Sequence, residues 1–145
     1  MVDSSKILIV DATFYQDIAD HLVSGAVDAL KDEGYAWERI SVPGVFEVPA
    51  TIALAAKSRE NFSGFVALGC VIRGETDHYD HVCRESSRAC MDLSVQTGLA
   101  IGFGILTCEN MDQAIARADV NQGNKGRDAA QACLRMVDLK SRFRG

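Results

Sequence analysis

This sequence predicts an α/β fold with a parallel sheet, on three observations. Short β-branched or apolar runs alternate with amphipathic stretches along the whole chain. The runs Lys6 to Val10 and Phe65 to Ile72 suit buried strands, and Ala36 to Val42 and Leu99 to Leu106 read as two further strands. No linker, repeat or low-complexity segment interrupts the alternation. Parallel strands need crossovers, and crossover handedness puts helices on both faces of the sheet. The expected architecture is a three-layer α/β/α sandwich of roughly four parallel strands, one domain over residues 1–145.

Each element has its own signal. Ile-Leu-Ile-Val before Asp11 reads as a central strand. Ile18, Leu22, Ala26, Ala29 and Leu30 then recur at helical spacing, which predicts a helix from Gln16 to Glu33 stopped by Gly34. In the second strand Trp37, Arg39 and Ser41 alternate against Ile40 and Val42, and Pro43-Gly44 breaks it. Val45 to Val48 is too short and acidic for a strand. Pro49 suits a first helical position, so a helix is expected from there to Lys57. Glu60 to Ser63 reads as a polar link to the third strand, Phe65 to Ile72.

A helix is expected from Asp77 to Thr97, with Val82, Cys83, Cys90 and Leu93 inward and Gly98 as its stop. In the fourth strand Gly102 and Gly104 would let another backbone or a ligand come close. A short helix over Asp112 to Ala118, a turn at Gly123 to Gly126 and a last helix ending near Lys140 complete the chain.

Composition excludes several function classes. The net charge of −5 gives no general attraction to nucleic acid or to an anionic membrane. No apolar run approaches bilayer-spanning length, and no basic leader precedes an apolar stretch. The five cysteines, Cys70, Cys83, Cys90, Cys108 and Cys133, are odd in number and form no Cys-x-x-Cys pair. That argues against a disulfide framework and a zinc site, and for a reducing cytoplasm. Neither a Gly-x-Gly-x-x-Gly turn nor a Walker lysine follows the first strand, and Asp11 lacks the carboxylate partners of a phosphoacceptor site.

Ligands of open parallel sheets sit outside the carboxyl ends of the strands. Those ends are Asp11 to Phe14, Pro43 to Glu47, Arg73 to His78 and Thr107 to Asn110. They offer an aromatic ring, a carboxylate in an apolar setting, an imidazole and a helix start after a glycine turn. Unpartnered amides at a helix start favour an anion. Together these groups would serve a phosphate, general acid–base catalysis and a flat ring.

Four motifs carry a resemblance. Val42-Pro43-Gly44-Val45-Phe46-Glu47-Val48-Pro49 is similar to the Val-Pro-Gly-Ala-Phe-Glu-(Ile/Val)-Pro motif of the lumazine synthases. Gly69-Cys70-Val71-Ile72-Arg73-Gly74-Glu75-Thr76, with His78-Tyr79-Asp80, resembles their Val-Ile-Arg-Gly-Glu-Thr signature. Phe103 to Thr107 with Gln113, Ala114 and Arg117, then Asn124-Lys125-Gly126, resembles their carboxyl-terminal half. The match runs in order over nearly the whole chain.

The resemblance implies a lumazine synthase-like fold with flavodoxin-like layering, and a synthase of 6,7-dimethyl-8-ribityllumazine in riboflavin biosynthesis. The substrates would be 5-amino-6-(D-ribitylamino)uracil and 3,4-dihydroxy-2-butanone 4-phosphate, with no metal or redox cofactor. It implies that Phe14 stacks on the pyrimidine, that Val45, Phe46 and Glu47 line the ribityl pocket, and that Val71 and Ile72 meet the pyrimidine through backbone. It assigns phosphate to Gly74, Glu75 (backbone only), Thr76 and Arg117, and proton transfer to His78. Active sites of the family lie between adjacent subunits of a pentamer, so Phe103, Arg117 and Lys125 would come from a neighbouring chain.

A homopentamer is the minimal assembly so implied, with a decamer or sixty-subunit capsid as larger forms and riboflavin synthase as a partner. Few residues precede the first strand, so no long arm is expected to pair with a neighbour's sheet. Thr13 and Tyr15 depart from the family's pattern beside Phe14, which bears on one ribityl or pyrimidine contact. Two other readings compete: a ribityl or flavin carrier without catalysis, and a structural shell. Retention of Glu47, His78 and Arg117 disfavours the carrier, because storage needs no proton shuttle.

Overall fold

The computed structural model describes residues 6–74 and 78–144. Its elements are β1 (Lys6–Ala12), α1 (Gln16–Asp32), β2 (Trp37–Val42), α2 (Glu47–Lys57), β3 (Phe62–Ile72), α3 (His78–Thr97), β4 (Ile101–Cys108), α4 (Met111–Ala118) and α5 (Lys125–Phe143). The strands form one sheet in the order β2-β1-β3-β4, and every pairing is parallel.

Alternation along the strands splits the core into two layers. Ile7, Ile9, Val66, Leu68, Leu106 and Cys108 face α1, α4 and α5. Leu8, Val10, Phe65, Ala67, Ile101 and Ile105 face α2 and α3. This is the expected α/β/α sandwich. Glycine permits its closest approaches: a Cβ on Gly102 would lie 1.9 Å from the Ala129 carbonyl oxygen and one on Gly126 1.9 Å from that of Leu22, so α5 lies directly on β4 and on α1 there.

Several boundaries differ from expectation for local reasons. Helix α1 ends in a Schellman motif, with Tyr35 N–H on Leu30 O and Gly34 N–H on Lys31 O, and Gly34 takes φ +78°. Helix α2 starts at Glu47 rather than Pro49; a proline in the first turn loses no helical hydrogen bond. Strand β3 takes in Phe62 and Ser63 from the expected link, because Lys6 pairs with Phe62 and donates to Asn61 O. Helix α5 begins inside the expected turn, after Asn124 in the left-handed region, and runs past Lys140 to Phe143.

Candidate active site at the strand ends

Four loops at the carboxyl edge of the sheet carry the candidate residues. After β1, Thr13 gives both its amide and its hydroxyl to Val42 O at the end of β2, at 2.9 and 3.3 Å. That anchors the turn and leaves the Phe14 ring 76% exposed, edge-on to Tyr15 at 4.9 Å between centroids. Tyr15 itself packs against the core. After β2, Phe46 is 55% exposed. Two aromatic rings thus stand out from adjacent strand ends, where burial alone would have put them inside.

Glu47 opens α2, and its Oε1 accepts from the Gly44 amide at 3.0 Å, which turns the carboxylate back over the loop. Val45 is buried against Gly69, so its side chain belongs to the core and its backbone is what it offers a ligand. Val71 and Ile72 are the last, half-buried residues of β3. Gly74 is exposed, and a Cβ there would meet no atom of the described residues within 4 Å. Glu75 and Thr76 lie outside the described residues. His78 is the first residue of α3 and is exposed.

The end of β4 closes the edge. Arg117, in the last turn of α4, donates through Nη1 to Thr107 O at 3.3 Å and lies 3.5 Å from Cys108 Sγ. Arg117 is thus held at the end of β4. Tyr79, in the first turn of α3, is half-buried, and this burial raises its phenol above the usual range. Arg73, just beyond β3, sits between these parts: it pairs with Glu109 at 2.9 Å and with Asp80 at 3.6 Å, and stacks on Tyr79 at 4.4 Å. Arg73, Tyr79 and Thr107 lie within the family motifs, but the pairings of Arg73 with Tyr79 and Glu109 carry no signal in the linear sequence, because the partners come from other elements.

Phe103 and Lys125 lie apart. Phe103 pairs with Ala67, five register steps before the pairing of Ile72 with Cys108, or about 16 Å down the sheet at 3.3 Å per residue. With Lys125, Asp128 and Ala129 it lines a cleft of about 340 Å³ along edge strand β4. Lys125 pairs with Asp128 there at 3.5 Å. A larger cleft, about 700 Å³, is lined by Tyr15, Asp17, His21, Met111 and Ile115 among others, and holds none of the expected site residues.

The thiols are not poised for chemistry. All five cysteines are free, and only Cys83 is not fully buried. Burial is the main cause that pushes Cys70 and Cys133 up to about 12 and Cys90 to about 11, which leaves little thiolate. Among the described residues, no group of three or more His, Cys, Asp or Glu side chains could hold a metal.

The sequence model of the 6,7-dimethyl-8-ribityllumazine synthase family matches residues 4–141. The chain belongs to that family. It is 54% identical over 138 residues to the 6,7-dimethyl-8-ribityllumazine synthase of Bartonella bacilliformis, covering 94% of this chain and 91% of the relative. It is 52% identical over 137 residues to that of Bartonella tribocorum, with the same coverages. With the Agrobacterium fabrum enzyme of the same name it shares 51% over 143 residues, covering 96% of this chain and 97% of the relative. The lumazine synthase motifs of this chain fall on its strand-end loops, apart from the stretch around Phe103 and Lys125.

Proposed function

We propose that this chain is a 6,7-dimethyl-8-ribityllumazine synthase, a transferase of riboflavin biosynthesis. It condenses 5-amino-6-(D-ribitylamino)uracil with 3,4-dihydroxy-2-butanone 4-phosphate and releases phosphate and water. The observation that carries this reading is the convergence of exposed Phe14 and Phe46, Glu47 and His78 on one edge of the sheet within a family-wide match.

The chemistry asks for placement and proton movement. An amine of the pyrimidine attacks the ketone and water leaves to give an imine; phosphate is then eliminated, and the second amine closes the ring with loss of a second water. Phe14 holds the pyrimidine face, while Val71 and Ile72 meet its edge through backbone groups. Phe46, Val45 backbone and Glu47 take the ribityl chain, whose hydroxyls suit a carboxylate acceptor. His78 moves protons in the imine and elimination steps. Arg117 meets phosphate as a charged fork, with Gly74, Glu75 and Thr76 amides around it.

Phe103 and Lys125 act on a neighbouring subunit's site, and Arg117 with them, in a homopentamer as the smallest assembly. Two observations favour this. About 16 Å of strand separates Phe103 from its own strand-end loops. Large apolar side chains on α2 and α3 stand exposed, Leu54 at 72%, Met91 at 62% and Val95 at 74%, more than a lone subunit needs to show. Five unpaired cysteines suit a reducing cytoplasm. The deciding experiment is lumazine formation followed by absorbance with purified chain and both substrates. Turnover above the uncatalysed condensation supports the enzyme; none, with tight product binding, overturns it in favour of a carrier. A native mass of one chain by light scattering would overturn the pentamer.

A further inference from the structure

We propose that Arg73 is a positioning residue of the reaction: it locks the helix start that bears His78 against the end of β4 that holds Arg117. The inference rests on the functional reading above and assigns a part to a residue which that reading leaves without one.

The backbone of Arg73 is the first anchor. Its amide donates to Cys108 O at 2.9 Å, so it extends the β3–β4 pairing one step past β3. Its side chain then reaches in two directions. Nε donates to Glu109 Oε2 at 2.9 Å, on the loop from β4 to α4. Nη1 lies 3.6 Å from Asp80 Oδ1, in the first turn of α3. The guanidinium carbon Cζ lies over the Tyr79 ring, 4.4 Å from its centroid. Ion pairs with Glu109, then Asp80, raise its already high pKa further, so its charge is constant.

Both partners are themselves fixed. Glu109 N–H donates to Gln113 Oε1 at 2.8 Å, and Gln113 N–H donates to Asn110 Oδ1 at 2.9 Å, a reciprocal cap that seats α4 on this loop. Helix α4 carries Arg117, whose Nη1 returns to Thr107 O. On the other side, Tyr79 and Asp80 directly follow His78. Arg73 thus ties the helix start that bears this subunit's His78 to the β4 end, from which Arg117 reaches the neighbouring subunit's site.

Stability does not account for this arrangement. The three side chains are about half exposed, at 45%, 54% and 57%, and exposed ion pairs add little to folding. Placement is where such a bridge has leverage, since small displacements of a catalytic group cost large factors in rate.

The test compares the full chain with Arg73→Gln, Arg73→Lys, Glu109→Gln and the Arg73→Gln/Glu109→Gln double variant. Arg88→Gln is the control, because Arg88 forms a similar exposed pair with Glu85 and Asp92 elsewhere on α3. Arg73→Gln is expected to lower kcat/KM for the phosphorylated ketone about tenfold, while KM for the pyrimidine stays within about twofold. Amide hydrogen exchange should quicken over residues 79–84 and not in α1 or α5. Arg73→Lys should recover part of the loss, keeping charge without fork or stack. The double variant should be no worse than the poorer single, as for one shared pair.

Wild-type constants and wild-type exchange in Arg73→Gln would overturn the inference, as would an equal rise in both KM values. If Arg73→Gln does not fold, Arg73→Lys and Glu109→Gln decide by the same criteria. If the unaltered chain shows no turnover, the synthase reading fails, and exchange in α3 alone then decides whether Arg73 locks the helix start.

Discussion

Arg39 holds the buried carboxylate of Asp11 in a two-pronged pair, Nε to Oδ1 at 3.0 Å and Nη2 to Oδ2 at 2.8 Å. Ser41 Oγ adds a third donor at 2.9 Å, and Arg39 reaches on to Asp20 of α1 at 3.2 Å. Asp11 is fully buried, next to the last residue of β1. The pair ties edge strand β2 to the strand end that presents Phe14. Arg39→Ala would strand a buried charge, and the expected loss is about 3 kcal/mol in urea unfolding. An unchanged midpoint would mean the carboxylate is solvated in solution.

His78→Ala removes proton transfer rather than contact. The expected result is a fall in kcat of about a hundredfold, with affinity for a ribityl ligand changed by no more than about threefold. Pre-steady-state rates and equilibrium binding of product, measured on the same variant, separate the two. Loss of binding without loss of rate would assign His78 to the ligand pocket instead.

Arg117→Ala should act on the phosphorylated substrate. Losing a charged fork costs about tenfold to a hundredfold in its KM, and KM for the pyrimidine should hold. Saturation curves in each substrate check this. An equal effect on both would point to a collapse of the β4 end around Thr107.

Two glycines make a contrasting pair. Gly102→Ala pushes a Cβ into the Ala129 carbonyl at 1.9 Å, and the overpacking should destabilise by about 2–3 kcal/mol. Gly74→Ala meets none of the described residues within 4 Å, so its melting temperature should match wild type. If Gly74 approaches phosphate closely, the same variant should still show a raised KM for the phosphorylated ketone. Thermal melts and saturation curves together test both.

Alkaline pH should weaken the fold through its thiols. Cys70 and Cys133 are held at about 12 and Cys90 at about 11, chiefly by burial, whereas an unfolded thiol ionises near about 8.5. Above that pH the unfolded chain gives up protons that the folded chain keeps. The stability is whole below about pH 8.5 and falls as pH rises toward 11, by about 1.4 kcal/mol per unit and thiol. Urea midpoints in reductant across this range test it, and Cys90→Ala should lessen the slope.

The sequence by itself determined the class of fold and the family. Where an apolar run stops is a local fact, so the loops bearing Phe14, Glu47, Gly74 and His78 were legible as strand ends, and the motifs gave them their family. Gly34 was legible as a helix stop because a left-handed residue is needed just there. The start of β3 at Phe62 was less so, since pairing with Lys6 and not composition recruits it. Tertiary structure decided the strand order, the distance of Phe103 from the loops, and the bridges from Arg39 to Asp11 and from Arg73 to Glu109, which span 28 and 36 residues. Such partners meet only through sheet register. Register is set by the summed burial of two strand faces, a quantity that no single stretch of chain contains.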